Sequence, residues 1–327
     1  MAADKPTTVN IPFAELHRAQ REAVIRFASE PRRHSGRGIV TAIYDSQFPS
    51  LWVLLSELTR LKVSLPIEAF YLEGEVSQRN AELAQSLGLN LTLRLLSDKA
   101  RGYSTKPFAI WRSSFREVLW LDSDDFPLRD PSFLFDDEEY CAKGSLFWRD
   151  VVSTDRALYW HPTSVVWPLF NVPMNDAEEF ETGQLLIDKE KCWAELGLTL
   201  HFNQRPEIYV SRLIGEKDTF RLAWQNLAVA RQKAPPGGGY LMKPALVPYG
   251  FMPFGPFHMG RPNEWRKWGG GTVMVQRDRD GAPLFVHRNL EKFSLDGDNP
   301  FNADVPNEAI YHEHIARLRA LLAGDKR

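Results

Sequence analysis

The sequence predicts an α/β fold in which helices flank a Rossmann-like, mainly parallel central sheet. Two observations lead to this prediction. Short apolar strands alternate with helical segments through the first half of the chain, which is the pattern of parallel strands joined by crossover helices. An acidic cluster then directly follows one of these strands, at the carboxyl edge where such sheets bind their ligands.

The elements of the first half are regularly spaced. An apolar repeat of helical period from Phe13 to Ser29 predicts an N-terminal helix that ends before Pro31. The segments that follow have strand and helix character in turn. The predicted strands are Gly38–Tyr44, Pro66–Leu72, Leu89–Leu96 and Val118–Leu121, and the helices between them are Ser50–Lys62, Ser77–Leu87 and Lys106–Phe115.

The second half is less regular, and its elements are predicted from shorter signals. The segment KAPPGGG at 233–239 is predicted to be a surface loop, because proline and glycine interrupt regular structure. The predicted strands are Leu146–Trp148, Gly183–Ile187, Thr272–Gln276 and Leu284–His287, and the predicted helices are Ile208–Ala230 and Glu308–Ala323.

Composition narrows the class of protein. Of 327 residues, 43% are hydrophobic and 25% are charged, as in an ordinary globular protein. The net charge of −2 gives no reason to expect a nucleic-acid partner. Cys141 and Cys192 are far apart and form no zinc or disulfide pattern, so two free thiols are expected. The start from Met1 to Asn10 lacks a signal peptide, and no stretch reaches the roughly 18 apolar residues of a membrane span, so we expect a soluble, cytoplasmic chain.

The acidic cluster is the sharpest local signal. Asp122 and Asp124 flank Ser123 on an extended segment, where side chains two apart point the same way. They can therefore converge on a hard divalent cation such as Mg²⁺ or Mn²⁺. The alternative is that these carboxylates form a solvent-exposed acidic turn and bind no cation. A phosphatase of the haloacid dehalogenase type is a further alternative, although Phe126, followed by Pro127, stands where that motif carries threonine or valine.

Several ordered motifs resemble the fungal α-1,3-mannosyltransferase family, glycosyltransferase family 71, which is related to glycogenin-like enzymes. At position 125 this chain has aspartate where the fungal family commonly has asparagine. The resemblance implies the GT-A glycosyltransferase fold. The matching stretches are SGRGIV (35–40), LPIEAFY (65–71), the run from Lys106 to Phe135, LFWRD (146–150), ETGQLLIDK (181–189), GEKDTFRLAW (215–224), PFHMG (256–260) and FVHRNLEKF (285–293).

The resemblance implies a site made of residues that are distant in sequence. His287 is similar to the histidine that completes the metal site of glycogenin-like enzymes, and imidazole suits Mn²⁺ better than Mg²⁺. The nucleotide-sugar donor is expected to contact Thr41, Ala42, Tyr44, Lys106, Asp122, Ser123, Asp124 and Lys292. The candidate catalytic residues are Asp218, Gln184 and Glu181. Trp148 and His258 could face sugars or be structural.

The expected function follows from the same resemblance. It implies a retaining, Mn²⁺- or Mg²⁺-dependent transferase that moves a hexose, with GDP-mannose as the expected donor and a glycan or glycoconjugate as acceptor. A UDP-hexose donor and a catalytically inactive glycan-binding relative are the alternatives. We expect an N-terminal helical segment at 1–34 and a catalytic domain at 35–327, with its nucleotide-sugar half at about 35–135 and its acceptor half at about 136–327. A Golgi location would apply if a membrane anchor had been removed.

Overall fold

The computed structural model describes residues 11–97, 104–149, 160–175, 180–213, 215–232, 245–247, 273–289 and 291–324. Within these ranges, no helix combines the length and the apolar character that a bilayer crossing requires. Cys141 and Cys192 are free thiols, as predicted. The KAPPGGG segment and His258 lie outside the described residues.

A seven-stranded sheet forms the centre of the fold, in the order β3-β2-β1-β4-β7-β6-β8. Strands β3, β2, β1 and β4 run parallel, β7 is antiparallel to both of its neighbours, and β8 is parallel to β6. The strands are β1 (Arg37–Ala42), β2 (Ile67–Tyr71), β3 (Leu91–Leu95), β4 (Glu117–Leu121), β5 (Asp125–Pro127), β6 (Ser145–Arg149), β7 (Phe180–Asp188), β8 (Ala245–Val247), β9 (Met274–Arg277) and β10 (Pro283–His287). The mainly parallel sheet is therefore confirmed.

Two apolar layers cover the sheet, one on each face. One layer contains residues of α1, α4, α6, α7 and α8, and the other contains residues of α2, α5, α9 and a small second sheet. The helices are α1 (Phe13–Ala28), α2 (Phe48–Arg60), α3 (Gln78–Gln85), α4 (Thr105–Arg112), α5 (Glu138–Lys143), α6 (Val166–Leu169), α7 (Trp193–Asn203), α8 (Lys217–Gln232) and α9 (Glu308–Gly324). Short 3₁₀ turns occupy 45–47, 131–136 and 210–212.

The second sheet positions the end of β10. It has the antiparallel order β5-β10-β9, and His287 at the end of β10 pairs with Asp125 at the start of β5. Since β5 begins three residues after Asp122, this pairing brings a late segment of the chain to the carboxyl end of β4. Strand β5 was not predicted, because three residues that include an aspartate and a proline carry no strand signal.

One predicted helix differs from the structure, and the helices α5, α6 and α7 were not predicted. The predicted helix Ile208–Ala230 is wrong in its first part: the segment holds a 3₁₀ turn at 210–212, and α8 begins at Lys217. Gly215 has φ of +76°, a conformation that a right-handed helix cannot contain. Helix α7 was missed because all of its residues except Ala194 are buried, so its sequence has no polar face to reveal a helical period.

Helix α1 is part of the main core. Leu16, Ala23 and Phe27 are buried in the same apolar layer as α7, and the Trp193 indole donates a hydrogen bond of 2.9 Å to the Phe27 carbonyl. Gly197 of α7 allows this approach, since a β-carbon there would lie 2.6 Å from Phe27. The division of the chain at residue 35 stays a prediction.

Candidate active site

A cleft of about 340 Å³ opens at the carboxyl ends of β1 and β4, where open α/β sheets bind ligands. Aromatic, basic and acidic side chains share its wall. The lining residues are Ala42, Tyr44, Ser46, Gln47, Glu75, Thr105, Lys106, Trp120, Asp122, Ser123, Asp124, Glu216 and Lys292. Seven of the donor-contact residues expected from the resemblance are in this set, and Thr41 is not.

Asp122 and Asp124 line this cleft, and the buried His287, which is not one of the lining residues, lies next to them. One ligand atom each from Asp122, Asp124 and His287 lie within 4.8 Å of one another. The Asp122 carboxylate is held by the Trp120 indole at 2.7 Å, and the Asp122 backbone N–H donates to the Gly183 carbonyl at 2.7 Å. Two carboxylate oxygens and an imidazole nitrogen at this separation fit a divalent cation of the Mn²⁺ type.

A buried lysine forms one wall of the cleft. The Lys106 ammonium donates to the Thr182 carbonyl at 2.7 Å, and it lies 3.2 Å from Asp122 and 3.1 Å from Glu216. Burial alone would lower the pKa of Lys106, but the carboxylates around it raise that pKa above its ordinary value. Glu216 is a cleft residue that the sequence interpretation missed: it belongs to the GEKDTFRLAW stretch, but only the fold brings it to Lys106.

The second lysine of the site lies at the cleft's outer side. The Lys292 ammonium contacts Oδ2 of Asp124, and 35% of the Lys292 side chain is exposed. Although burial would raise the pKa of Asp124, the charges of His287 and Lys292 lower it below its ordinary value. Lys292 is thus a cation beside the acidic pair that has room to move toward a ligand in the cleft.

Asp125 is a carboxyl group of the site whose buried oxygens are not stabilised by hydrogen bonds from the described residues. It is fully buried, and neither of its carboxylate oxygens has a hydrogen-bond partner among the residues that the structure describes. Burial raises its pKa well above the ordinary value, and the neighbouring Asp122 and Asp124 raise it further against the opposing charge of His287. The folded protein therefore disfavours the charged form of Asp125, and a further cation in the site would favour that form.

His287 is held between carboxylates. Its Nε2 lies 3.7 Å from Oδ2 of Asp124, and its Nδ1 lies 3.4 Å from Oε1 of Glu181. Burial would lower the pKa of His287, but the contacts with Glu181 and Asp124 raise it to about 10. In the metal-free protein the ring is therefore an imidazolium that partly balances the acidic cluster.

The residues near the end of the first strand, which are expected to contact the donor, do not all line the cleft. Ala42 and Tyr44 line the cleft, whereas Thr41 is fully buried and its hydroxyl oxygen has no partner within the described part of the chain. Burial and the charges of Asp122 and Asp124 raise the pKa of Tyr44. The donor contacts expected of these residues stay predictions.

None of the three candidate catalytic residues lines the cleft: Glu181 lies against His287, and the other two are buried elsewhere. Gln184 is fully buried, and its amide has no hydrogen-bond partner in the described ranges. Asp218 is buried beside Arg221 at 3.5 Å and Lys217 at 3.7 Å. Their catalytic roles stay predictions. Trp148 is a core residue, since it is fully buried, packs edge-to-face on Phe285 and donates to the Arg277 carbonyl, so it offers no face to a sugar.

Comparison with known proteins shows which proteins this chain resembles in sequence. The model of a family described as "Mannosyltransferase putative" matches residues 36–166. The alpha-1,2-mannosyltransferase MNN2 of Saccharomyces cerevisiae is 24% identical over 259 residues, which are 64% of this chain and 43% of that protein. The alpha-1,2-mannosyltransferase MNN24 of Candida albicans is 29% identical over 164 residues, which are 40% of this chain and 23% of that protein. The resemblance to fungal mannosyltransferases is confirmed, and the chain spans less than half the length of these relatives.

A solved structure shows the same fold. An active-site mutant of LgtC superposes with a TM-score of 0.51 at 14% identity, over 86% of this chain and 95% of that chain. The GT-A glycosyltransferase fold expected from the resemblance is therefore confirmed.

Proposed function

We propose that this chain is a metal-dependent, retaining mannosyltransferase that uses GDP-mannose and acts on a glycan or glycoconjugate acceptor. The observation that carries the proposal is the convergence of Asp122, Asp124 and His287 beside a cleft whose wall holds two lysines. A GT-A fold and relatives named as mannosyltransferases support the same conclusion.

The cation and the diphosphate belong together on one side of the cleft. Asp122, Asp124 and His287 would hold Mn²⁺ or Mg²⁺, which would neutralise the diphosphate and stabilise it as a leaving group. Lys292 is partly exposed and can turn from Asp124 toward a phosphate oxygen, adding a charge-assisted hydrogen bond. These residues place positive charge where negative charge develops during transfer.

The sugar would be bound on the Lys106 side. The network of Lys106, Glu216 and Thr182 presents fixed donors and acceptors next to Asp122, the pattern that recognises hydroxyl groups. The lining carboxylates are Asp122, Asp124, Glu75 and Glu216, of which the first two are assigned to the cation and Glu216 is paired with Lys106. The fourth, Glu75, accepts a hydrogen bond from the Leu72 backbone N–H at 3.4 Å. We therefore favour attack on the sugar face that the diphosphate leaves, with a phosphate oxygen accepting the proton of the acceptor hydroxyl.

The test is a donor screen with the full chain. Purified protein is incubated with Mn²⁺, a mannobiose acceptor and a panel of GDP- and UDP-sugars, and nucleotide release and product are measured. We expect GDP release from GDP-mannose that requires acceptor, stops with EDTA and returns with Mn²⁺. The ¹H NMR spectrum of the product should show an α-linkage, and it also distinguishes the 1,2-linkage of the named relatives from the 1,3-linkage expected from the sequence.

A matched pair of variants tests whether the loss of turnover is specific to the proposed cation site. Asp122→Asn should abolish turnover, whereas Asp280→Asn, at an exposed turn before β10, should leave it unchanged. Turnover that persists in EDTA, or that survives Asp122→Asn, would contradict the proposed cation site. Release from a UDP-hexose alone would replace the proposed donor.

A further inference from the structure

The two ring nitrogens of His287 face two different carboxylates. Nε2 points toward the acidic pair, at 3.7 Å from Asp124, and Nδ1 lies 3.4 Å from Oε1 of Glu181. An imidazole that binds a cation through one nitrogen carries its proton on the other, and a hydrogen-bond acceptor there fixes both the tautomer and the ring orientation. Glu181 stands where such an acceptor is needed.

The position of Glu181 is itself fixed by the backbone. Its Oε1 accepts hydrogen bonds from the backbone N–H groups of Thr182 at 3.0 Å and Gly183 at 2.8 Å, and the side chain is buried. The same oxygen lies 3.4 Å from Nδ1 of His287, a nitrogen that has no formed hydrogen bond among the described residues, so a small shift of the ring would bring a third donor to this atom. A carboxylate oxygen held in this way is suited to orienting a neighbour and is poorly placed to leave its partners for attack on a sugar.

Gly183 completes the support of the ring. A β-carbon at this position would lie 2.6 Å from both Nδ1 and Cε1 of His287 and 3.2 Å from Oδ2 of Asp125. The absence of a side chain therefore lets the imidazole lie directly against β7. Neighbouring residues of one strand thus supply both the acceptor and the space that determine how His287 points.

We propose that Glu181 is a positioning residue that holds Nδ1–H of His287, so that Nε2 is directed at the cation shared with Asp122 and Asp124. This rests on the proposed cation site but assigns Glu181 a role other than the catalytic one expected from the sequence. The Glu181 carboxylate thus orients the His287 ring and does not act on the sugar.

The primary readout is Mn²⁺ affinity, measured by electron paramagnetic resonance titration of the full chain without donor. Removing an outer-shell partner of a metal-bound histidine typically weakens affinity about 10–100-fold, and we expect this for Glu181→Ala. Glu181→Gln keeps an acceptor oxygen and should restore most of the affinity. Glu190→Ala, just beyond the other end of β7, is the matched control and should bind Mn²⁺ like the wild type.

A double-mutant cycle shows whether Glu181 acts through the histidine. In a His287→Ala background, Glu181→Ala should cause little further loss of Mn²⁺ affinity, because the group that it positions is gone. At saturating Mn²⁺ the kcat of Glu181→Ala should return to near that of the wild type. Unchanged Mn²⁺ affinity in Glu181→Ala, or equal losses with and without His287, would overturn the proposal.

Gly183→Ala keeps the inference testable if Glu181→Ala does not fold. The added methyl group must displace the ring while Glu181 stays intact, so Mn²⁺ affinity should fall here too. Wild-type affinity in a folded Gly183→Ala protein would refute the role of ring orientation. If the wild type binds no Mn²⁺, the proposed function itself fails. If the wild type binds Mn²⁺ and Glu181→Ala binds it equally well, only the positioning role of Glu181 fails.

Discussion

Asp125→Asn should stabilise the metal-free protein at neutral pH. Asp125 is fully buried, neither carboxylate oxygen has a partner within the described residues, and Asp122 and Asp124 lie nearby. Burial is the main cause of its raised pKa, so the folded state disfavours the ionised form. Asparagine has nearly the same shape and carries no charge, so it removes this cost without leaving a cavity.

The pH dependence of the effect follows from linkage, and its size from the cost of burying a polar group without partners. That cost is about 1–3 kcal/mol, so we expect a gain of this order at pH 7. A carboxyl whose pKa is raised on folding destabilises the fold increasingly as pH rises above its unfolded pKa. The gain should therefore shrink as pH falls toward about 4, where the unfolded carboxyl also becomes protonated.

The measurement is urea unfolding in EDTA at pH 7 and at pH 4.5, followed by circular dichroism. Asp124→Asn is the matched control, because Asp124 contacts Lys292 and its pKa is lowered, so its ionised form stabilises the fold. Sequence alone predicts that Asp124→Asn would relieve repulsion, whereas the structure assigns that relief to Asp125. Destabilisation by Asp125→Asn, or a gain of equal size at both pH values, would refute this reasoning.

Two further predictions concern other parts of the fold. Glu308→Ala should destabilise the protein by about 3–5 kcal/mol in urea unfolding, because it leaves the buried Arg288 guanidinium without the carboxylate that it contacts at 2.7 Å. Glu313→Ala, at an exposed position of α9, should change stability by less than about 0.5 kcal/mol, and similar effects of the two would contradict the buried pair. Burial and nearby arginines lower the pKa of His201 to about 4, so stability should fall by up to about 3 kcal/mol between pH 6.5 and 4. His201→Gln should flatten that part of the pH profile, and an unchanged slope would show that another group causes it.

Local sequence signals were sufficient for strands β1 to β4 of the central sheet, whereas β8 was not predicted. The runs that became β1, β2, β3 and β4 are apolar and bounded by turn residues, and each was predicted to within a few residues of its observed limits. Asp122 and Asp124 were found because they directly follow a buried strand, at the edge where such sheets bind ligands. His287 and Lys292 entered only through the family resemblance, since nothing in their own segment links them to a strand far earlier in the chain.

Tertiary structure decided how these residues meet. The pairing of β5 with β10 brings His287 to the acidic pair, and the loop before α8 brings Glu216 to Lys106. It also decided that Asp125 is buried without partners. Residue order along one segment fixes which side chains share a strand or a helix face. Burial, charge compensation and the orientation of a ring depend on contacts between distant segments, and those exist only once the sheet has formed.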